Sequence, residues 1–439
     1  MKKTITSYLG IKPSRAPKLT QEDRVLNLAE QDFYFVPLIF GDITSADCVV
    51  KIHDKVKKYQ QVGRQSGKGG VSVFSPCSGE VVDIIEKAGR EGIFNILVKI
   101  KNDKKNTPLL LSKMENTTRG TLLKRMIESG IMTTGDRKVG AFKNYLLKEN
   151  ETIDAIVVNA CETDMFKSSE TKTFQEYTRE SIIGASLFAK ACNTKRIIIV
   201  NNSSAKRLIA KIDDVLSKEI YNSVVIDHIV ITDRQPLMDV VVAEILGTAQ
   251  ILATGSHVIM HSVTDCYNYY KAVAENVPVV SRIVTVVSDK GKRLNNYDIL
   301  AGTTADAVAF MVEQNKKDVK MIITESMMSG VALENFEAPL ALSSGLIVMK
   351  CDNENTSKEY PCINCSACVS ACPMKLIPSW LDKYTIENDK VRARNSGISD
   401  CINCGNCSNV CPAKRHLCQR ISRFKKAIAS SGNDMEAVK

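Results

Sequence analysis

Two kinds of apolar pattern alternate through the middle of the chain. Continuous β-branched runs at 153–159, 196–202 and 224–232 are separated by stretches with helical spacing at 174–192, 205–216 and 236–247. Strands apolar on both faces suit a parallel sheet covered by helices, so this region is predicted to be an α/β domain. Ligands bind such sheets beyond the carboxyl ends of the strands, which draws attention to 159–166. Upstream, residues 33–100 break into short strands and turns. Residues 103–150 read as a mostly helical linking stretch with a turn at 130–140. Downstream, a strand at 279–287, a helix at 305–313 and a strand at 319–324 form a smaller α+β unit. Near the end, Leu417, Ile421, Phe424 and Ile428 recur at helical spacing. The other faces of that helix carry Lys414, Arg415, Arg420, Arg423, Lys425 and Lys426. It either packs on the unit before it or docks an acidic partner or membrane surface.

At 439 residues the chain divides into several domains. The composition shifts place them at 1–102, 103–255, 256–351 and 352–439. Residues 1–30, polar with scattered prolines, are expected to wrap over the unit that follows. No run approaches the roughly 18–20 apolar residues that span a bilayer. The first residues lack the apolar centre of a signal peptide, so a cytoplasmic protein is expected. The net charge of +10 allows contact with an acidic partner or an anionic membrane surface. The basic residues are dispersed and no nucleic-acid-binding motif occurs, so nucleic acid is not expected as a partner.

Cysteine changes the picture most. Eight of the 15 cysteines fall in two copies of one pattern. The first reads Cys362-Ile-Asn-Cys365-Ser-Ala-Cys368-Val-Ser-Ala-Cys372-Pro373. The second reads Cys401-Ile-Asn-Cys404-Gly-Asn-Cys407-Ser-Asn-Val-Cys411-Pro412. This C-x2-C-x2-C-x3-C-P spacing is that of two-cluster bacterial ferredoxins, in which the fourth cysteine serves the other cluster. Two [4Fe–4S] clusters are therefore predicted. Cys362, Cys365, Cys368 and Cys411 would hold one, and Cys401, Cys404, Cys407 and Cys372 the other. Four thiolates can also hold zinc, and oxidised cysteines can form disulfides. A repeated three-plus-one pattern ending in Cys-Pro suits neither. The other seven cysteines are scattered, as buried thiols in a reducing compartment would be.

Residues 33–100 resemble the barrel-sandwich of biotinyl and lipoyl carrier domains. Lys68, in the glycine-flanked turn 67–70, stands where a carrier lysine would be sought, but its neighbours do not match a carrier site. It reads as a scaffold lysine. The unit at 256–351 resembles a β-grasp (SLBB-type) fold. Taken in order, these units resemble the RnfC family of the Rnf electron-transport complex. The matching stretches are Gly10-Ile11-Lys12-Pro13, Asp54-Lys55-Val56, 75–79, 159–166, 282–286, Met327-Met328-Ser329-Gly330 and the paired cysteine motifs. The resemblance implies a peripheral subunit on the cytoplasmic face of a membrane, passing single electrons through its clusters to or from a protein partner. Some relatives are soluble donors to a dedicated cytosolic reductase. A scaffold subunit with structural clusters is a third reading.

The family also implies flavin and nicotinamide binding at a G-G-A-G-F-P-T-H loop. Here the corresponding stretch is Gly130-Ile-Met-Thr-Thr-Gly135-Asp136-Arg137-Lys138-Val139-Gly140. Glycines let the backbone approach a phosphate closely, and Asp136 adds a repelling charge. Weak or absent FMN and NADH binding is therefore expected, which argues against an NADH dehydrogenase activity of the chain's own. The family's acidic E-C-E-P-Y pattern appears as Glu162-Thr163-Asp164-Met165-Phe166, without the proline. Glu162 and Asp164 either keep the family's acidic positions or are solvated residues ending a strand. No catalytic residue is assigned.

Overall fold

A computed structural model describes residues 2–5, 24–40, 44–65, 70–88, 94–132, 141, 145, 153–162, 164, 166–203, 205–218, 224–231, 258–288, 293–313, 319–324, 326, 330–333, 335–337, 339–340, 345–350 and 358–436. The carrier-like turn with Lys68, the stretch 10–13, the helix read at 236–247 and positions 133–140 of the glycine-poor loop lie outside them.

The β-rich unit is built on a long hairpin. Gly79–Ala88 and Phe94–Asn102 pair antiparallel and are flanked by Phe33–Pro37 and Lys55–Val56. A second sheet joins Asp47–Cys48, Gln61–Arg64 and Ser72–Phe74. Alternate residues Tyr34 and Val36 turn inward and share one core with Val62, Val73, Val81, Val98 and Ile100 from both sheets. Gly79 is required where the strands cross closest: a Cβ there would lie 1.9 Å from the Lys101 carbonyl oxygen. The chain then runs on without helix through 103–118, and Pro108 bridges to Lys58. The helical reading of 103–150 therefore fails at its start, where Lys-Asn-Asp-Lys-Lys-Asn-Thr-Pro offers no apolar stripe. The first helix is Arg119–Glu128, capped by the Thr118 hydroxyl.

Five strands form the parallel sheet. In spatial order they are Lys2–Ile5, Val225–Ile231, Arg196–Asn202, Ala155–Asn159 and Val258–Ser262, with every pairing parallel. The central strands bury both faces, because Ile156 and Val158 join one core while Ala155 and Val157 join another. The first strand was not foreseen. Residues 2–5 do not wrap over the β-rich unit but form an edge of this sheet, in register with 228–231. The helix read at 174–192 is two helices, Ser169–Glu176 and Thr178–Ala191, broken at Tyr177 (φ −121°, ψ 46°). Gly184 lets the second press on Val263–Tyr270: a Cβ at 184 would lie 1.9 Å from the Cys266 carbonyl oxygen.

Beyond it lies a mixed six-stranded sheet. Its order is Val331–Ala332, Met321–Thr324, Leu346–Lys350, Ser281–Ser288, Arg293–Leu300 and Leu26–Asn27. The helix Ala305–Glu313 covers one face through Ala305, Val308, Ala309 and Val312. The last unit, 358–436, is helical. Leu417, Ile421, Phe424 and Ile428 of the helix Leu417–Glu436 pack on Leu381, Ala393 and Ile398. The terminal helix thus covers the cysteine-bearing unit. Arg415 Nη2 and Arg420 Nε each lie 2.5 Å from buried Asp382, and Arg420 also pairs with Glu359 at 2.8 Å. Lys425 donates to the carbonyls of Ser399 and Cys401. Much of the basic face read as a docking surface is spent holding the unit together. Among the described residues no helix is long and apolar enough to cross a membrane.

Candidate metal centre

The two cysteine motifs fold as copies of one another. Cys362 and Cys401 are 39 residues apart (401 − 362), and the backbone repeats at that interval. Left-handed residues recur as Asn364 and Asn403, Ser366 and Gly405, and Lys375 and Lys414. Each such residue reverses the chain locally, so closely spaced side chains can face a common centre. A one-turn helix follows in both copies, Ala367–Ser370 and Asn406–Asn409. Then the Cys-Pro corner leads into a longer helix, Pro378–Ile386 or Leu417–Glu436.

This repeat encloses two cavities. The first, about 430 Å³, is lined by Cys362, Cys365, Cys368 and Cys411, with Ser379 and Trp380 at its wall. The second, about 20 Å³, is lined by Cys372, Cys401, Cys404 and Cys407, with Cys418 and Ile421 beside them. Each cavity therefore gathers three cysteines of one motif and the fourth cysteine of the other. Cys362 and Cys365 are exposed and Ile363 is 65% exposed, so the first cavity reaches the surface. The second lies deeper, against the terminal helix.

The donor set suits iron–sulfur chemistry: soft sulfur on four sides, and no carboxylate or imidazole in either wall. A zinc ion with Zn–S near 2.3 Å would draw four sulfurs to about 4 Å from each other and leave no space the size of the first cavity. The second cavity is tighter, and a cubane there requires its sulfurs to move apart. Burial raises the thiol pKa of Cys368, Cys401, Cys404 and Cys407. These groups are protonated at neutral pH without metal, so metal binding must release their protons.

The acidic pair at the end of the strand Ala155–Asn159 is not solvated. Asp164 is buried; its Oδ1 accepts from the Phe166 amide at 3.0 Å and its Oδ2 from the Ser326 hydroxyl at 2.9 Å. Glu162 Oε1 accepts from the Thr171 amide at 2.7 Å. Its Oε2 is shut off from solvent with no hydrogen-bond partner among the described residues. Burial, the first cause, raises its pKa. Next to it lies a cluster the sequence did not announce. Glu170 Oε1 meets Arg282 Nη2 at 2.9 Å, and Oε2 accepts from the Thr264 amide and hydroxyl at 3.0 Å each. Lys167 Nζ lies 3.8 Å from the same carboxylate. Burial opposes ionisation of Glu170, but Lys167, Arg282 and Thr264 together outweigh it and lower its pKa. The pair joins the helical layer of the parallel sheet to the strand Ser281–Ser288 of the mixed sheet. Only the isolated Arg282 in an apolar run could have hinted at it.

Comparison with known proteins agrees with this arrangement. Residues 5–105 match the RnfC barrel sandwich hybrid domain, and residues 361–414 match the 4Fe-4S dicluster domain. The RnfC-type subunit of the proton-translocating ferredoxin:NAD(+) oxidoreductase complex of Clostridium ljungdahlii is 23% identical over 85% of this chain and 82% of its own length. The corresponding subunit of the ion-translocating oxidoreductase complex of Rhodobacter capsulatus is 22% identical over 89% of this chain and 76% of its own. A solved chain of an NAD+-reducing [NiFe]-hydrogenase aligns with a TM-score of 0.47 at 12% identity, over 69% of this chain and 63% of that one, a likeness too slight to argue from. The barrel sandwich, the dicluster module and relatives matching most of the chain concur: this protein belongs to the RnfC family, as an iron–sulfur electron-transfer subunit.

Proposed function

We propose that the chain holds two [4Fe–4S] clusters with crossed ligation and relays single electrons between protein partners. Cys362, Cys365, Cys368 and Cys411 hold the first cluster, and Cys372, Cys401, Cys404 and Cys407 the second. The observation that carries this reading is the lining of the two cavities, three cysteines from one motif and the fourth from the other in both. When bound, the clusters supply one-electron acceptors whose potentials respond to charge, exposure and hydrogen bonds to sulfur. The chain's own part is to fix the sulfurs and exclude water from the deeper site. The surface-reaching first cluster faces the partner, and the buried second cluster passes the electron inward. The names of the relatives support partners in an ion-translocating oxidoreductase complex, with this chain peripheral to the membrane subunits. The β-grasp likeness of the mixed sheet and the boundaries at 102, 255 and 351 belong to the same reading.

The test is spectroscopic. Anaerobically purified protein should contain about eight iron and eight sulfide per chain. Cys411→Ser should perturb the same EPR signal as Cys365→Ser, and Cys372→Ser the same signal as Cys404→Ser. If Cys411→Ser groups instead with Cys404→Ser, ligation is local and the crossed assignment is wrong.

Flavin forms a separate arm of the proposal. Asp136, Arg137 and Lys138 stand where small residues would cradle a phosphate. The expected result is that the protein retains less than stoichiometric FMN and that NADH alone does not bleach the clusters. Stoichiometric FMN, or bleaching by NADH, would give the chain a dehydrogenase activity.

A further inference from the structure

The second cavity has five thiols, not four. Cys418 lies in its wall with Cys372, Cys401, Cys404 and Cys407, and is 3% exposed. Its sulfur is near enough to those of Cys401, Cys404 and Cys407 for their charges to interact. The repeat explains its position. Cys418 follows Cys411 by seven residues, just as Ser379 follows Cys372 by seven, and 418 − 379 is again 39. Ser379 lines the first cavity and hydrogen-bonds to Cys368. Position 418 therefore bears the same relation to Cys407 that position 379 bears to Cys368. At the first site the chain places a hydroxyl there, and at the second a thiol. A hydroxyl is a poor ligand for iron in a sulfur cluster, whereas a thiolate is the natural one.

We propose that Cys418 is a fifth, ligand-competent thiol of the second cluster, able to replace Cys407. Cys418 starts the first turn of the long terminal helix, and its amide donates to the Ser408 hydroxyl at 2.8 Å. That bond ties it to the short helix bearing Cys407. It is thus held at the site without occupying a ligand position in the cysteine motif. Replacement is redox-neutral. The Cys418 thiol gives up its proton as any ligating cysteine does, and its sulfur bonds to the iron that Cys407 would have held. The second cluster then tolerates loss or oxidation of Cys407, and the first has no such reserve at Cys368.

The proposal rests on the crossed two-cluster reading, and iron and sulfide counts on the full chain separate the two. About eight iron per wild-type chain tests the cluster reading itself. Given that, Cys407→Ala should retain about eight iron, with an altered EPR signal from the second cluster. Cys407→Ala/Cys418→Ala should fall to about four, and Cys418→Ala alone should keep about eight. At the first site Cys368→Ala should fall to about four, and Cys368→Ala/Ser379→Cys should recover about eight. Equal iron in Cys407→Ala and Cys407→Ala/Cys418→Ala, at either value, overturns the proposal. If Cys407→Ala does not fold, the Ser379→Cys rescue decides in its place, and no gain of iron there overturns it.

Discussion

Anaerobic removal of iron is expected to unfold residues 358–436 and leave the parallel sheet intact. The apolar core of this unit is small: Leu381, Ala393, Ile398, Leu417, Ile421, Phe424 and Ile428 with the buried face of Cys368. At the same time Tyr360, Ile363, Trp380, Ile386 and Val391 are exposed. A unit of this size gains only about 3–5 kcal/mol from its core, so the free energy of metal binding becomes free energy of folding. The two motifs show why. Their loops run through left-handed Asn364, Ser366, Asn403 and Gly405. Nothing apolar fills the space between the sulfurs, so the ligands alone hold these loops in shape. A chelator with a reductant should therefore lower hydrogen-exchange protection across 358–436 by about a hundredfold or more, with little change at Ala155–Asn159. Trp380, the single tryptophan, lines the first cavity and offers an independent signal. Its emission should rise and shift to the red as the quenching cluster leaves and the wall opens. Unchanged protection in the iron-free protein would mean that the helical packing suffices and the clusters are not structural.

Local chemistry and non-local chemistry were unequally visible in the chain. The ligand sets could be written from spacing alone, because a Cys-x2-Cys-x2-Cys loop determines its own geometry within seven residues. The buried strands Arg196–Asn202 and Val225–Ile231 were legible for a similar reason: a strand apolar on both faces has few other places to go. What the sequence hid depends on partners far along the chain. Lys2–Ile5 is too short and polar to read as a strand, and only its register with 228–231 makes it one. The break at Tyr177 lies inside a continuous helical pattern and comes from the way the two helices pack. Glu162 and Asp164 look like any charged residues after a strand. Their burial is decided by Ser326 and Thr171, and the neighbouring Glu170 by Arg282, a residue 112 positions away. Cys418 was visible as a residue but not as a member of a site, because its meaning lies in the 39-residue repeat of the backbone.

Glu170→Gln and Glu162→Gln are expected to change stability in opposite directions. Glu170 compensates two cations, Arg282 at 2.9 Å and Lys167 at 3.8 Å, in an interior that water does not reach. Neutralising it leaves those charges buried without their counter-ion, which costs about 3–5 kcal/mol. For a unit of this size the thermal midpoint should fall by about 10 °C at pH 7.5. Because the folded state lowers the pKa of Glu170, its stabilisation is complete above the unfolded value near 4.5 and is lost as pH falls through the folded value. The difference between wild type and Glu170→Gln should therefore shrink in acid. Glu162 has the reverse linkage. Its folded pKa is raised above 4.5, so its contribution is greatest below that value and is lost as pH rises through the folded one. At pH 7.5 the carboxylate at 162 is a burden, with Oε2 shut off from solvent, while a glutamine can still accept from the Thr171 amide through Oε1. Glu162→Gln should keep or raise the midpoint at pH 7.5 and lose that advantage near pH 4.5. Thermal unfolding of the two variants and wild type at both pH values is the check. A fall in Glu162→Gln at pH 7.5 matching that in Glu170→Gln would mean that both carboxylates belong to one compensated network, with the nearby Lys167 shared between them.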